Sequence, residues 1–125
     1  MLKHMKIIDN SSSGRAGGVW IGNSDPTFTN VLIANNFSDN EGGGIATYIG
    51  TNPTLINTSI INNSSNGGAG GIFNYNTTDM VIKNSIISGN SSTQIRISSQ
   101  PQIQNLSVSN SLIEGGQSGI IDGDN

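Results

Sequence analysis

The chain has 125 residues, of which Asn, Ser and Gly supply 18, 18 and 17. Five basic side chains stand against 8 acidic ones, a formal net charge of −3, and cysteine is absent. No basic patch suits a nucleic-acid partner, and no apolar run is long enough to span a membrane. Disorder would suit so polar a chain, but 19 isoleucines at regular intervals argue for a packed core.

Residues 1–6 have no apolar h-region and no small-residue cleavage site, so they do not read as a signal peptide. Instead Leu2 aligns with Phe28 and His4 with Asn30, so the chain is expected to begin inside a repeat. The first clear copy follows at Ile7-Ile8-Asp9-Asn10. It recurs as Ile33-Ala34-Asn35-Asn36, Ile60-Ile61-Asn62-Asn63 and Ile87-Ser88-Gly89-Asn90, with steps of 26, 27 and 27. A Gly-Gly-apolar triplet follows three of them, at Gly17-Gly18-Val19, Gly43-Gly44-Ile45 and Gly70-Gly71-Ile72. A second asparagine column runs Asn30, Asn57, Asn84, Asn110. Self-similarity at a fixed period means stacked repeats.

The third copy serves as a template. Gly70 and Gly71 turn the chain into a strand through Ile72 and Tyr75, and residues 76–79 read as a loop. Residues 80–84 alternate as a second strand, residues 85–88 form a third after a bend, and residues 89–92 turn again. Three short strands and three corners in 26 or 27 residues describe one coil of a parallel β-helix, an all-β solenoid of four to five coils. The expected coils are a partial one at 1–16, then 17–42, 43–69, 70–92 and an irregular last one at 93–125. Core columns are expected at Leu2, Phe28, Leu55, Ile82 and Val108; at Ile7, Ile33, Ile60, Ile87 and Ile113; and at Val19, Ile45 and Ile72, joined by Ile95.

Asparagine suits the corners because it tolerates left-handed backbone and offers both donor and acceptor. Asn10, Asn36, Asn63 and Asn90, and equally Asn30, Asn57, Asn84 and Asn110, are expected to form structural ladders, bonding to one another and to bend backbone. Several of them head Asn-x-Ser/Thr sequons, but a stacked asparagine leaves no room for a glycan. Asn76, in a loop, is the sequon left open. In the fourth coil only four residues separate Asn90 from Ile95, against eight between Asn63 and Ile72. That shortened corner reads as the drift of an end repeat.

These features resemble the right-handed parallel β-helix proteins with the pectin-lyase-like fold. They are similar above all to bacterial surface proteins with polymorphic outer-membrane-type repeats, Phe-x-x-Asn followed by Gly-Gly-x-Ile. Phe37-Ser38-Asp39-Asn40 with Gly43-Gly44-Ile45 is one literal match, and the other copies carry Ile for Phe. The resemblance covers nearly the whole chain and implies an exported protein at the cell surface, its anchor or translocator lying elsewhere. The motif carries architecture more safely than activity.

Polysaccharide lyases and hydrolases of this fold need clustered carboxylates. Here Asp25 and Asp79 are read as lying in neighbouring coils two residues out of phase, and Asp9 as a ladder variant at the position of Asn35 and Asn62. Arg96 stands in a strand without an acidic partner. No catalytic residue is expected. Asp39-Asn40-Glu41 and Asp122-Gly123-Asp124 have the oxygen density for calcium, but turn-forming Asp is the commoner explanation; no cofactor is expected. His4 stands alone. Trp20, Tyr48, Phe73 and Tyr75 follow the Gly-Gly corner on an outer face and are the carbohydrate-facing candidates. The expected role is structural display, adhesin-like, at the cell surface, with glycans or cell-surface ligands as partners and association end to end. Carbohydrate binding or processing is the alternative.

Overall fold

The computed structural model of the chain describes residues 1–75, 79–98 and 105–122. The first pass runs β1 (Leu2–Ile8), β2 (Ser11–Ser12) and β3 (Val19–Ile21), and the second β4 (Thr27–Ala34), β5 (Phe37–Ser38) and β6 (Ile45–Thr47). The third runs β7 (Thr54–Ile56), β8 (Ser59–Ile61), β9 (Ser64–Ser65) and β10 (Ile72–Tyr75). The fourth has β11 (Asp79–Lys83), β12 (Ile86–Ser88) and β13 (Ile95–Ser98); the fifth has β14 (Asn105–Ser109), β15 (Leu112–Ile113) and β16 (Ile120–Asp122). The first three passes visit the same three sheets in the same order, and the last two visit the two larger ones. Eight strands form a wide sheet, five (β3, β6, β10, β13, β16) a second and three (β2, β5, β9) a narrow third. Pairing between passes is parallel throughout these sheets, with Leu2 opposite Phe28, Phe28 opposite Leu55, Leu55 opposite Ile82 and Ile82 opposite Val108. This is a parallel β-solenoid.

The repeat builds the core because parallel pairing sets identical positions one above another. Ile33, Ile60 and Ile87 form one buried file, Phe28, Leu55 and Ile82 another, and Ile45, Ile72 and Ile95 a third. Full burial of each such side chain is worth about 1.5–3 kcal/mol. At the first and last levels Leu2, Ile7, Val19, Leu106, Ile113 and Ile120 pack against this core but are only partly covered, having a neighbour on one side alone.

Glycine is required where the narrow sheet meets the next level. A Cβ on Gly43 would lie 2.4 Å from the Ser64 carbonyl oxygen and 2.5 Å from that of Gly70. The sequence count of three strands per coil is too simple for the wide sheet. Its strand is split by a left-handed residue in the third, fourth and fifth passes and runs on through one in the first two. In the shortened fourth corner the narrow sheet stops, at β9. Among the described residues no helix is long and apolar enough to cross a membrane; the helical turn is Gly116–Gly119.

Candidate functional site: amide ladders and two outer faces

The column of Asn10, Asn36, Asn63 and Asn90 is a directional hydrogen-bonded chain. Asn10 Nδ2 donates to Asn36 Oδ1 at 2.9 Å, Asn36 Nδ2 to Asn63 Oδ1 at 2.9 Å, and Asn63 Nδ2 to Asn90 Oδ1 at 3.0 Å. The backbone N–H of each donor residue reaches the same oxygen. The second amide protons of Asn36, Asn63 and Asn90 go back to the carbonyls of Ile7, Ile33 and Ile60, each at 3.0 Å. Both donors and both acceptor sites of Asn36 and Asn63 are therefore used, as buried amides require.

Sequence reading did not find how this ladder ends. Asn90 Nδ2 donates to Gln94 Oε1 at 2.7 Å, and Gln94 Nε2 donates to Glu114 Oε2 at 3.4 Å. Glu114 Oε2 also accepts from the Gly89 amide and the Ser88 hydroxyl. Gln94 carries the amide one methylene further, across the shortened corner. Its place four residues after Asn90 was the available signal.

The second asparagine column corrects the expectation made for it. Asn30, Asn57, Asn84 and Asn110 occupy left-handed corners with φ of 54, 50, 50 and 48°, and His4 takes the same conformation at 52°. Their side chains are exposed, not tucked into the fold. Asn57 Nδ2 donates to Asn30 Oδ1 at 3.1 Å, and Asn30 lies 3.3 Å from His4 Nδ1. The sequon asparagines Asn57 and Asn105 are likewise exposed, whereas Asn36, Asn63 and Asn90 are buried. Asn76 lies outside the described residues.

The aspartates belong to outer ladders of their own. Asn35 Nδ2 donates to Asp9 at 3.1 Å, Asn52 Nδ2 to Asp25 at 2.9 Å, Asn66 Nδ2 to Asp39 at 3.1 Å, and Asn105 Nδ2 to Asp79 at 2.8 Å. Asp25 and Asp79 are thus in phase, two levels apart, with Asn52 between them: Asn52 bonds Asp25, and the Asp79 N–H donates to Asn52 Oδ1 at 3.1 Å. The out-of-phase reading was wrong because Asp and Asn alternate in one column. Alternation sets an amide donor against each carboxylate and keeps like charges off adjacent levels.

The outer face of the five-stranded sheet gathers the aromatic candidates. Trp20, Ala46, Phe73 and Arg96 share one column, and Tyr48 and Tyr75 stack at 4.7 Å with an interplanar angle of 20°. Arg15, one level below, places its guanidinium 4.3 Å from the Tyr48 centroid and its Nε 3.9 Å from Glu41 Oε1. Tyr48 therefore meets Tyr75 from the level above and Arg15 from below, which leaves its ring no free face for a sugar. Ala46 between these side chains is 0% exposed, while Trp20 is 54% exposed with its ring laid over Gly22. Burial raises the pKa of Glu41 and Arg15 partly offsets the shift. Glu41 Oε2 and Arg96 Nε are buried without hydrogen-bond partners among the described residues.

On the wide sheet, His4, Lys6, Asn30, Leu32, Asn57 and Ser59 line a shallow groove of about 300 Å³ along the outer asparagine column. Among the described residues no three His, Asp or Glu side chains converge as a metal site would need. Of the calcium candidates, Asp39 is engaged by Asn66, and Asp124 lies outside the described residues.

No curated protein and no solved structure matches the chain. The sequence model of one protein family, described as "Right handed beta helix region", matches residues 2–125. With this match and its stacked parallel sheets, the chain belongs to the right-handed β-helix family.

Proposed function

We propose that this β-helix is a structural and display segment of an exported, surface-associated protein, adhesin-like and without catalysis of its own. One observation carries the reading. Asp9, Asp25, Asp39 and Asp79 each accept an asparagine amide from the next level. Carboxylates each committed to an asparagine, and on no two adjacent levels of one column, supply neither the paired acids of glycoside hydrolysis nor an open calcium cage. The test is turnover by the purified chain on acidic and neutral glycans, with calcium and with chelator. No product and an unchanged melting temperature are expected; turnover abolished by Asp79→Asn would overturn the reading. Surface display is tested by protease shaving of intact cells that make the native protein.

The groove beside the outer asparagines favours carbohydrate binding as a second reading. Exposed amides at Asn30 and Asn57, with Lys6 beside them, offer donors and acceptors in a row. Glycan titration that saturates, and that weakens on Asn57→Gly and Lys6→Ala more than on Trp20→Ala, would support it over the aromatic strip.

A further inference from the structure

We infer that Asn66 is a site of spontaneous deamidation, a covalent ageing point in the turn that follows β9. Asn66-Gly67 is the one Asn-Gly pair in the sequence. It follows β9, the last strand of the narrow sheet, where the fourth pass turns from Asn90 to Gln94 without adding a strand. Asn66 and Gly67 are both exposed. Their bonds run to the second pass, from Asn66 N to Ser38 O and from Asn66 Nδ2 to Asp39, and to Ser65 of their own turn.

The reacting nitrogen is the Gly67 amide. Its partner is the Ser65 hydroxyl at 3.3 Å, a long contact outside the ladder between levels. The amides that follow the inner asparagines are held differently: Phe37 N to Asn10 O at 2.8 Å, Ser64 N to Asn36 O at 2.9 Å, and Ser91 N to Asn63 O at 2.9 Å. Those asparagines also have their own amides buried and bonded. Glycine adds no Cβ to hinder the ring-forming rotation. The fold thus holds the Gly67 amide only by this long contact and protects those that follow Asn36, Asn63 and Asn90.

The chemistry needs only water. Gly67 N attacks Asn66 Cγ, the new N–C bond closes a five-membered succinimide, and the Gly67 proton departs with the side-chain nitrogen as ammonia. Water then opens either carbonyl, giving aspartate or isoaspartate at position 66. Either product replaces the donor that now meets Asp39 Oδ1 at 3.1 Å with a second carboxylate. Like charges at that spacing repel, and isoaspartate also lengthens the backbone next to β9.

The test is incubation of the full chain in mildly alkaline buffer, followed by peptide mapping and isoaspartate labelling by a carboxyl methyltransferase. Conversion is expected at Asn66 first, at least an order of magnitude faster than at Asn36, Asn63 or Asn90, and Asn66→Gln should abolish the early product while the circular dichroism is kept. In denaturant the gap between Asn66 and the Asn-Ser sites should narrow, because the fold's protection of the latter is gone. Early conversion at an inner asparagine, or a gap that is the same folded and unfolded, would overturn the inference.

Discussion

Asn36 gives two hydrogen bonds to one atom of Asn63: its backbone N and its Nδ2 both reach Asn63 Oδ1 at 2.9 Å. The bonds run from one level to the next inside the solenoid, so each asparagine orients the backbone of the level below. Removing one link strands groups on both sides. A buried donor or acceptor left without a partner costs about 1–3 kcal/mol.

Asn63→Ala is therefore expected to cost about 3 kcal/mol or more, summed over the Asn36 donors and the Asn90 and Ile33 acceptors it abandons. Asn57→Gly, at an exposed corner, should stay within about 0.5 kcal/mol. Asn57→Ala should cost about 1–2 kcal/mol, for the left-handed backbone alone. Chemical denaturation measures all three, and equal losses for Asn63→Ala and Asn57→Ala would refute the distinction between inner and outer columns.

Gly43→Ala is expected to prevent folding or to cost at least about 3 kcal/mol, since its Cβ would meet two carbonyl oxygens of the level above and overpacking against backbone relaxes poorly. Gly14→Ala makes the control, because the nearest atom is the Ser12 hydroxyl at 3.2 Å. Soluble expression and melting temperature compare the two; a Gly43→Ala protein as stable as Gly14→Ala would mean that the levels are not so closely spaced there.

Glu41 gives the chain a pH-dependent term. Its folded pKa is raised above 4.5 by burial, against the opposing pull of Arg15. The folded state thus holds the proton more tightly than the unfolded one, and this contribution is lost as pH rises from 4.5 through the raised value. Glu41→Gln lacks that loss. Its melting temperature relative to the parent should climb over this pH window and then level off; a difference that shrinks with pH would contradict the burial of this carboxyl.

Among the described residues the outermost levels present unpaired strand edges, β1 on one side and β14, β15 and β16 on the other, with Val108 38% exposed. Open edges template pairing with other chains. The isolated chain is expected to associate increasingly with concentration, and Val108→Lys to shift it toward monomer. Light scattering that finds one monomeric species throughout a dilution series would rule this out.

How much was legible follows from where the information sits. Ile33, Ile60 and Ile87 announce themselves because parallel stacking asks the same of every level, so the fold is written as self-similarity along the chain. The same logic found Asp9 at the corner of Asn35 and Asn62, and His4 at that of Asn30, where all take left-handed backbone. It failed at Asp25 and Asp79, where alternation with Asn52 hides one column behind two residue types. It failed again at Gln94 and Glu114, which continue the inner ladder by reach and not by period. The sequence by itself determined the period, the core files and the corners, because these depend on residue type at fixed spacing. Only the tertiary structure decided that Asn36 faces inward while Asn57 faces out, and that the Tyr48 ring is enclosed between Tyr75 and Arg15. Those outcomes depend on where each left-handed corner turns the next side chain and on what the neighbouring level places against it, across 26 or 27 residues of chain.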